Sequence, residues 1–289
     1  MKVGFMLPAV ADGIEWSSWE VIAELARHLE AAGAASLWVA DHFFHRDESG
    51  REHGLHESWT LLSAVAAVTE RVEIGPLVMA TSFRNPGLTA KMAATLQEVA
   101  AGRFVLGLGC GWHQPEYDAF GYPFDHRVGR FEEAVRVIVP LLRGERVTVE
   151  GRWATARDAV LVPPSAPVPI LIAAKGDRML RLTARWADQW QTAWFGSPDE
   201  RFRDRRARLR AACEAEGRDP ATLVETVGVE VGGEPSGRPP GWRHVPLEVA
   251  AIEDALGAWS EEGVDHLQLV VEPATRDSYD TLLEAMARR

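Results

Sequence analysis

Cysteine is scarce: Cys110 and Cys213 are the only two in 289 residues, and they lie far apart. That excludes a disulfide framework and a cysteine zinc site, and it suits a reducing cytoplasm, the expected location. Long apolar runs are missing, so no segment is expected to span a membrane. Long basic runs are missing too, and the formal net charge is -11, so the chain offers no groove for nucleic acid. The opening MKVGFMLPAVAD contains Ala9-Val10-Ala11, which mimics an export cleavage site. Its charged region is a single lysine, however, and Gly4 and Pro8 interrupt a very short apolar run. It reads as a first core strand. What the chain does have is hydrophobic content, 46%, enough to bury a full core.

The hydrophobic pattern alternates strand and helix. Strands are expected over 3–7, 36–42, 72–80, 103–112, 169–174, 188–194, 225–231 and 266–272. Helices are expected over 15–32, 58–69, 86–100, 127–142, 178–187, 199–216, 249–262 and 275–288. The helix over 199–216 is rich in arginine and reads as a solvated outer face. The segment 232–246, rich in Gly and Pro, reads as a loose loop. Eight strand-then-helix units are the count of a (β/α)8 TIM barrel, an α/β fold, here a single domain over 1–289. Residues 145–169 mix valines with four prolines and a glycine. They read as a hairpin or lid inserted between strands four and five. A doubly wound open sheet competes, but the glycines run 107, 109, 111 and no helix is expected right after them. The dinucleotide fingerprint is therefore not matched.

In a barrel the site lies at the C-terminal ends of the strands. The strand RFVLGLGCGW, 103–112, places Gly107, Gly109 and Gly111 on one face. Such a bare strip either seats a flat ring or permits tight internal packing. Strand two ends on Asp41 and His42. His42 either faces a ligand or bonds neighbouring backbone. The turn Lys175-Gly176-Asp177-Arg178 joins a strand to a helix. It is either an anion site suited to phosphate or an ordinary turn with Asp177 as helix cap. His42, His45, His53 and His56 raise a metal hydrolase as an alternative, but no H-x-H pair ends strand one, and no metal is expected. Trp112 and Trp194 follow strands and could line an apolar pocket.

ADHF after strand two, TSFRNP after strand three, RFVLGLGCGW followed by PEYDAFGYPFDHRVGRFEE, and IAAKGDRMLRLTARWADQW resemble the luciferase-like monooxygenase superfamily. The similarity is greatest to its F420-dependent oxidoreductase branch and covers nearly the whole chain. It implies an enzyme holding coenzyme F420, or alternatively FMN, across the strand ends. The reaction implied is hydride transfer with a small, apolar organic substrate; the FMN alternative is oxygen insertion. A flavin-binding barrel without turnover is a further alternative. Carried over by position, Asp41 and His42 lie at the cofactor's ring or tail. Val78, Met79, Ala80 and Thr81 belong to a bulge with a cis peptide behind the ring. Gly109, Gly111 and Trp112 touch the tail or ring edge, and Ala174, Lys175, Gly176 and Asp177 take the phosphate. The pattern at Ala173-Ala174-Lys175 carries less glycine than the superfamily's. His42 and Glu116 are the candidates for proton transfer or for fixing the ring. A homodimer and a separate reductase supplying reduced cofactor are the partners the resemblance implies.

Overall fold

The computed structural model describes residues 1–8, 18–46, 50, 52–233 and 244–288. The first elements are β1 (Lys2–Met6), α1 (Trp19–Ala31), β2 (Ser36–Val39), β3 (Phe44–Arg46), β4 (Glu52–Gly54) and α2 (Ser58–Val68). Then come β5 (Glu73–Pro76), β6 (Met79–Ala80), α3 (Pro86–Val99), β7 (Leu106–Gly109), α4 (Gln114–Phe120) and α5 (Arg127–Leu142). There follow β8 (Val147–Glu150), β9 (Thr155–Ala159), β10 (Ile170–Ala173), α6 (Asp177–Trp186), β11 (Gln189–Phe195) and α7 (Glu200–Ala215). The chain closes with β12 (Val224–Gly232), α8 (Val249–Glu261), β13 (His266–Glu272) and α9 (Arg276–Ala287).

The large sheet runs β5-β2-β1-β13-β12-β11-β10-β7-β6, and its strand pairs are parallel. A parallel bridge between Ile74 of β5 and Phe104, two residues before β7, closes the sheet. The expected third strand, 72–80, is split: β5 pairs with β2 and β6 pairs with β7, with a cis peptide between Leu77 and Val78. Counting the two halves as one stave, the sheet is the eight-stranded barrel that the alternation implies.

Alternation along each strand sorts the barrel into layers. Phe5, Leu37, Ile74, Leu106, Leu108, Ile172, Val229 and Leu269 point outward into one core shared with the helices. Met6, Trp38, Leu77, Val105 and Leu171 form a second apolar layer inside the barrel. Below it lies a polar floor: His266 Nε2 meets Ser36 Oγ at 2.8 Å, and Trp38 Nε1 donates to the same oxygen at 2.6 Å. Burial pushes the His266 imidazole down to about 3, so it stays neutral in the core.

The helix starts are written locally. Ser18, Glu57, Asn85 and Asp199 accept first-turn N–H groups of α1, α2, α3 and α7. Two elements depart from expectation. The loop after β2 contains the antiparallel hairpin β3–β4. A short helix, α4, begins at Gln114, three residues after Gly111, where none is expected; Pro115 near its start favours that turn of helix. Within 145–169 the chain forms the hairpin β8–β9, whose tip is fastened to α5: Glu133 accepts from the N–H groups of Arg152, Trp153 and Ala154. Residues 15–17 of the first expected helix, and most of the expected loop 232–246, lie outside the described residues.

Candidate active site

The residues past β2 bring the first pieces together. Asp41 is 5% exposed. Its Oδ1 accepts from Ser58 Oγ at 2.6 Å and Arg84 Nη2 at 2.9 Å; its Oδ2 accepts from Arg84 Nη1 at 2.8 Å and Ala80 N–H at 3.0 Å. A carboxylate has about four acceptor positions, and all are taken. Within the protein Asp41 thus has a structural task beyond the place at the cofactor that the resemblance implies. It ties the end of β2 to the end of β6 and to α2. Arg84 also donates to Glu57 at 2.8 Å, and its two carboxylates hold the guanidinium above its ordinary range despite burial. Asp41→Ala leaves that charge buried without its main partner, so a loss of about 3–5 kcal/mol of folding stability is expected, read as a lowered denaturant midpoint.

His42, the next residue, is turned the other way. Its Nδ1 lies 2.6 Å from Glu116 Oε1, and the other Glu116 oxygen accepts the Phe43 N–H. Glu116 is fully buried, whereas the His42 side chain keeps 22% of its surface exposed. A buried carboxylate that accepts at both oxygens positions its neighbour and is not itself exposed to a substrate. Bonded to a carboxylate, Nδ1 carries the hydrogen, which leaves Nε2 as the second nitrogen for other chemistry. Glu116 stands on α4, so the unexpected helix is what delivers it. The His42 ring packs edge-on against Trp112, centroids 5.6 Å apart, and Trp112 is 60% exposed. His113, on the same turn, accepts the Arg46 N–H at 3.0 Å and so holds the β3–β4 hairpin over the strand ends. Desolvation, then the nearby His45, keeps His113 below the ordinary histidine value.

The glycine strip is not bare. A Cβ at Gly107 would lie 2.1 Å from the Pro76 carbonyl oxygen, and one at Gly109 would lie 2.6 Å from Val78 Cγ2. At Gly111, where φ is +73°, it would lie 1.7 Å from the Tyr117 hydroxyl. The glycines allow the split third stave to press against β7. The surface presented to the mouth here is therefore Val78, half-buried on the bulge, and not the strip itself. Met79 is fully buried and points into the outer core, away from the mouth. Ala80 is spent on Asp41, while Thr81 keeps a buried hydroxyl with no partner. The Gly111 carbonyl accepts from Arg127 at 2.7 Å.

The third piece is the start of α6. Ala174 is buried in the outer core; its N–H bonds to Gln191 and its carbonyl accepts Trp190 Nε1, so it offers nothing to a phosphate, contrary to expectation. Gly176, and not Asp177, stands at the N-cap, with no side-chain cap and nothing within 4 Å of a Cβ placed there. Asp177 turns outward to Arg208, 2.6 Å away. Among the described residues the Lys175 side chain has no ion pair or hydrogen bond. Partial loss of solvent, then the charges of Arg205 and Arg201, hold its amine below the ordinary lysine value. Those arginines come from α7, which the sequence marks only as a solvated face. Arg201 donates to the Trp194 carbonyl at 3.0 Å and Arg205 to Thr192 Oγ1 at 2.9 Å. The open helix start, a lysine without a partner and two arginines fit a phosphate. The unpartnered Thr81 hydroxyl near the bulge fits a polar ring substituent.

Among the described residues no group of three or more His, Cys, Asp or Glu side chains is placed to hold a metal ion, and no helix is long and apolar enough to cross a membrane.

Comparison with known proteins gives the family. The family model for luciferase-like monooxygenases matches residues 1–232. The chain is 40% identical over 166 residues to an F420-dependent glucose-6-phosphate dehydrogenase of Beutenbergia cavernae, covering 55% of this chain and 48% of that protein, so it spans about half the length of that relative. It is 31% identical over 257 residues to a phthiodiolone/phenolphthiodiolone dimycocerosates ketoreductase of Mycobacterium tuberculosis, covering 81% of this chain and 67% of that protein. Among solved structures, an F420-dependent secondary alcohol dehydrogenase holding an F420-acetone adduct superposes with a TM-score of 0.82 at 17% identity, over 99% of this chain and 97% of that one. A monooxygenase of Streptomyces bottropensis superposes at 0.80 with 20% identity, over 99% and 98%. Both structures share the barrel fold. The chain belongs to the luciferase-like monooxygenase family and is an oxidoreductase.

Proposed function

We propose that the protein transfers hydride between coenzyme F420 and a carbonyl or alcohol group of an apolar organic substrate. The observation that carries this reading is the His42–Glu116 pair: a histidine with one nitrogen fixed by a buried carboxylate and a side chain that keeps 22% of its surface exposed. Relatives named as F420-dependent, and one named as a ketoreductase, support it. Reduced F420, when bound, supplies a hydride. Val78 would back its ring, and Lys175, Gly176, Arg201 and Arg205 would hold its phosphate. In the reductive direction His42 acts as the doubly protonated imidazolium, its Nδ1–H held by Glu116: it gives the Nε2 proton to the carbonyl oxygen that becomes the alcohol and regains a proton from solvent, while Glu116 keeps the ring turned for that transfer. Trp112 supplies an apolar wall beside His42 and limits water there.

The test is an anaerobic assay with reduced F420 and an apolar ketone. Oxidation of the cofactor without oxygen is expected. Oxygen-dependent insertion of one oxygen atom into the substrate with reduced FMN, and no anaerobic turnover, would favour the FMN monooxygenase instead. As further parts of the reading, the protein is a homodimer, to be checked by light scattering, and its reduced cofactor is regenerated by a separate reductase.

The amine of Lys175 has a depressed pKa, so it loses its charge at a lower pH than a free lysine does. A bound phosphate anion favours the charged form. Affinity for F420 is therefore expected to fall as pH rises through that depressed value, below the usual lysine range near about 10.4. Lys175→Gln is expected to weaken binding about tenfold at neutral pH and to flatten this alkaline dependence. Titrations across pH read both effects.

A further inference from the structure

The proposed reaction uses one histidine of a cluster. His42, His45 and His113 meet ring to ring past the end of β2, and His53 of β4 joins them. The rings of His45 and His113 are nearly parallel, with centroids 4.9 Å apart. His45 lies 6.1 Å from His53, and His113 lies 6.1 Å from His42. Among the described residues the cluster forms no metal-holding group.

One hydrogen bond fixes a protonation state within it. His113 is 6% exposed, and its Nε2 accepts the Arg46 N–H at 3.0 Å. A backbone N–H only donates, so this nitrogen carries no hydrogen and the ring is neutral. An imidazolium has two N–H groups and no acceptor; it would turn a donor toward a donor. The surroundings also act on the charge. Desolvation opposes it first, then His45 of β3; Glu116 of α4 favours it, and His42 and Arg46 oppose it. Both Glu116 oxygens are already bonded, to His42 and to the Phe43 N–H.

The bond bears on where His42 stands. The segment after His42 is fastened to the start of α4 twice: the Phe43 N–H bonds to Glu116, and the Arg46 N–H bonds to His113. Through Arg46 the second bond reaches β4 as well, because Arg46 pairs with Glu52 in the ladder and by its side chain. We propose that His113 is a positioning residue with a pH-dependent grip: neutral, it fixes β3 beside His42; protonated, it lets β3 go. The assignment concerns the chain's own contacts and goes beyond the hydride reading, which survives its failure. Release takes up a proton, so the grip is complete above the ordinary histidine value of about 6.5 and weakens below it, by up to about tenfold per pH unit. Mild acid therefore loosens β3 while the barrel stays folded.

The experiment is backbone amide exchange on the intact protein from about pH 7.5 to about pH 5.5, corrected for the intrinsic effect of pH on exchange. In the wild type, protection of the Arg46 amide is expected to fall by about five- to tenfold across that range, while amides of β13 keep theirs. His113→Gln offers an amide oxygen that accepts at either pH, so the Arg46 amide is expected to keep a constant protection. If that variant folds poorly, the wild-type comparison of Arg46 with β13 decides alone. Constant protection of Arg46 in the wild type, or an equal fall across β13, would overturn the assignment. The same selective fall in His113→Gln would also overturn it and move the titrating group to His45 or His53.

Discussion

Replacing His42 by glutamine is expected to lower the rate of hydride transfer by about 10²–10⁴-fold, the usual worth of a positioned general acid or base. Cofactor affinity is expected to change only a few-fold, because the imidazole presents its open nitrogen to the reacting group and does not hold the phosphate. Single-turnover oxidation of reduced F420 by a ketone separates the two quantities. Glu116→Gln should cost less. The amide can still accept from the Phe43 N–H, but it no longer carries a negative charge that holds Nδ1–H, and the imidazole loses its fixed orientation. The expected signature is a changed pH profile together with a reduced rate. Full activity in His42→Gln would move proton transfer to another group.

Gly109→Val is expected to abolish cofactor binding and to weaken the fold as well. A single Cβ at residue 109 would already lie 2.6 Å from Val78 Cγ2, and valine adds two methyl groups to that clash. Overpacking of this kind commonly costs about 1–3 kcal/mol, and relief requires moving the bulge that backs the ring. The clash has a named partner, so it can be relieved: Gly109→Ala combined with Val78→Ala is expected to recover much of the stability lost by Gly109→Ala alone. Binding and denaturant titrations of the single and double variants form the cycle that tests it. If the double variant is no more stable than Gly109→Ala, Val78 is not what the glycine accommodates.

The same strip shows what a sequence can and cannot disclose. Strand alternation is local, so it places Gly107, Gly109 and Gly111 on one face without any knowledge of the fold. What covers that face comes from Pro76, Val78 and Tyr117. Residues 72–80 read as a single apolar run, which hides the break between β5 and β6, and the break is what carries Val78 onto the glycines. Asp41 hides its structural task for a related reason. A carboxylate at a strand end reads as a ligand candidate, and its distant partners, Ser58, Ala80 and Arg84, are not visible in sequence.

The His42–Glu116 pair was half legible. Both residues stand at strand ends in sequence, but the contact joins residues 74 apart in the chain and depends on α4, a helix too short to show a hydrophobic period. The open helix start at Gly176 was the most legible part of the candidate site, because a strand, a glycine and a helix start are contiguous. Its arginines were not: Arg201 and Arg205 sit in a charged helix whose composition looks the same whether a residue faces water or a neighbouring strand end. The barrel itself was readable throughout, since every one of its strands carries the outward apolar alternation that the helices cover.

The most direct test of the account is a side-by-side titration of the purified protein with F420 and FMN, followed by fluorescence. Saturable binding of F420 at one per chain, with FMN at least about tenfold weaker, is the predicted result. Tighter binding of FMN, or no binding of either, would contradict it.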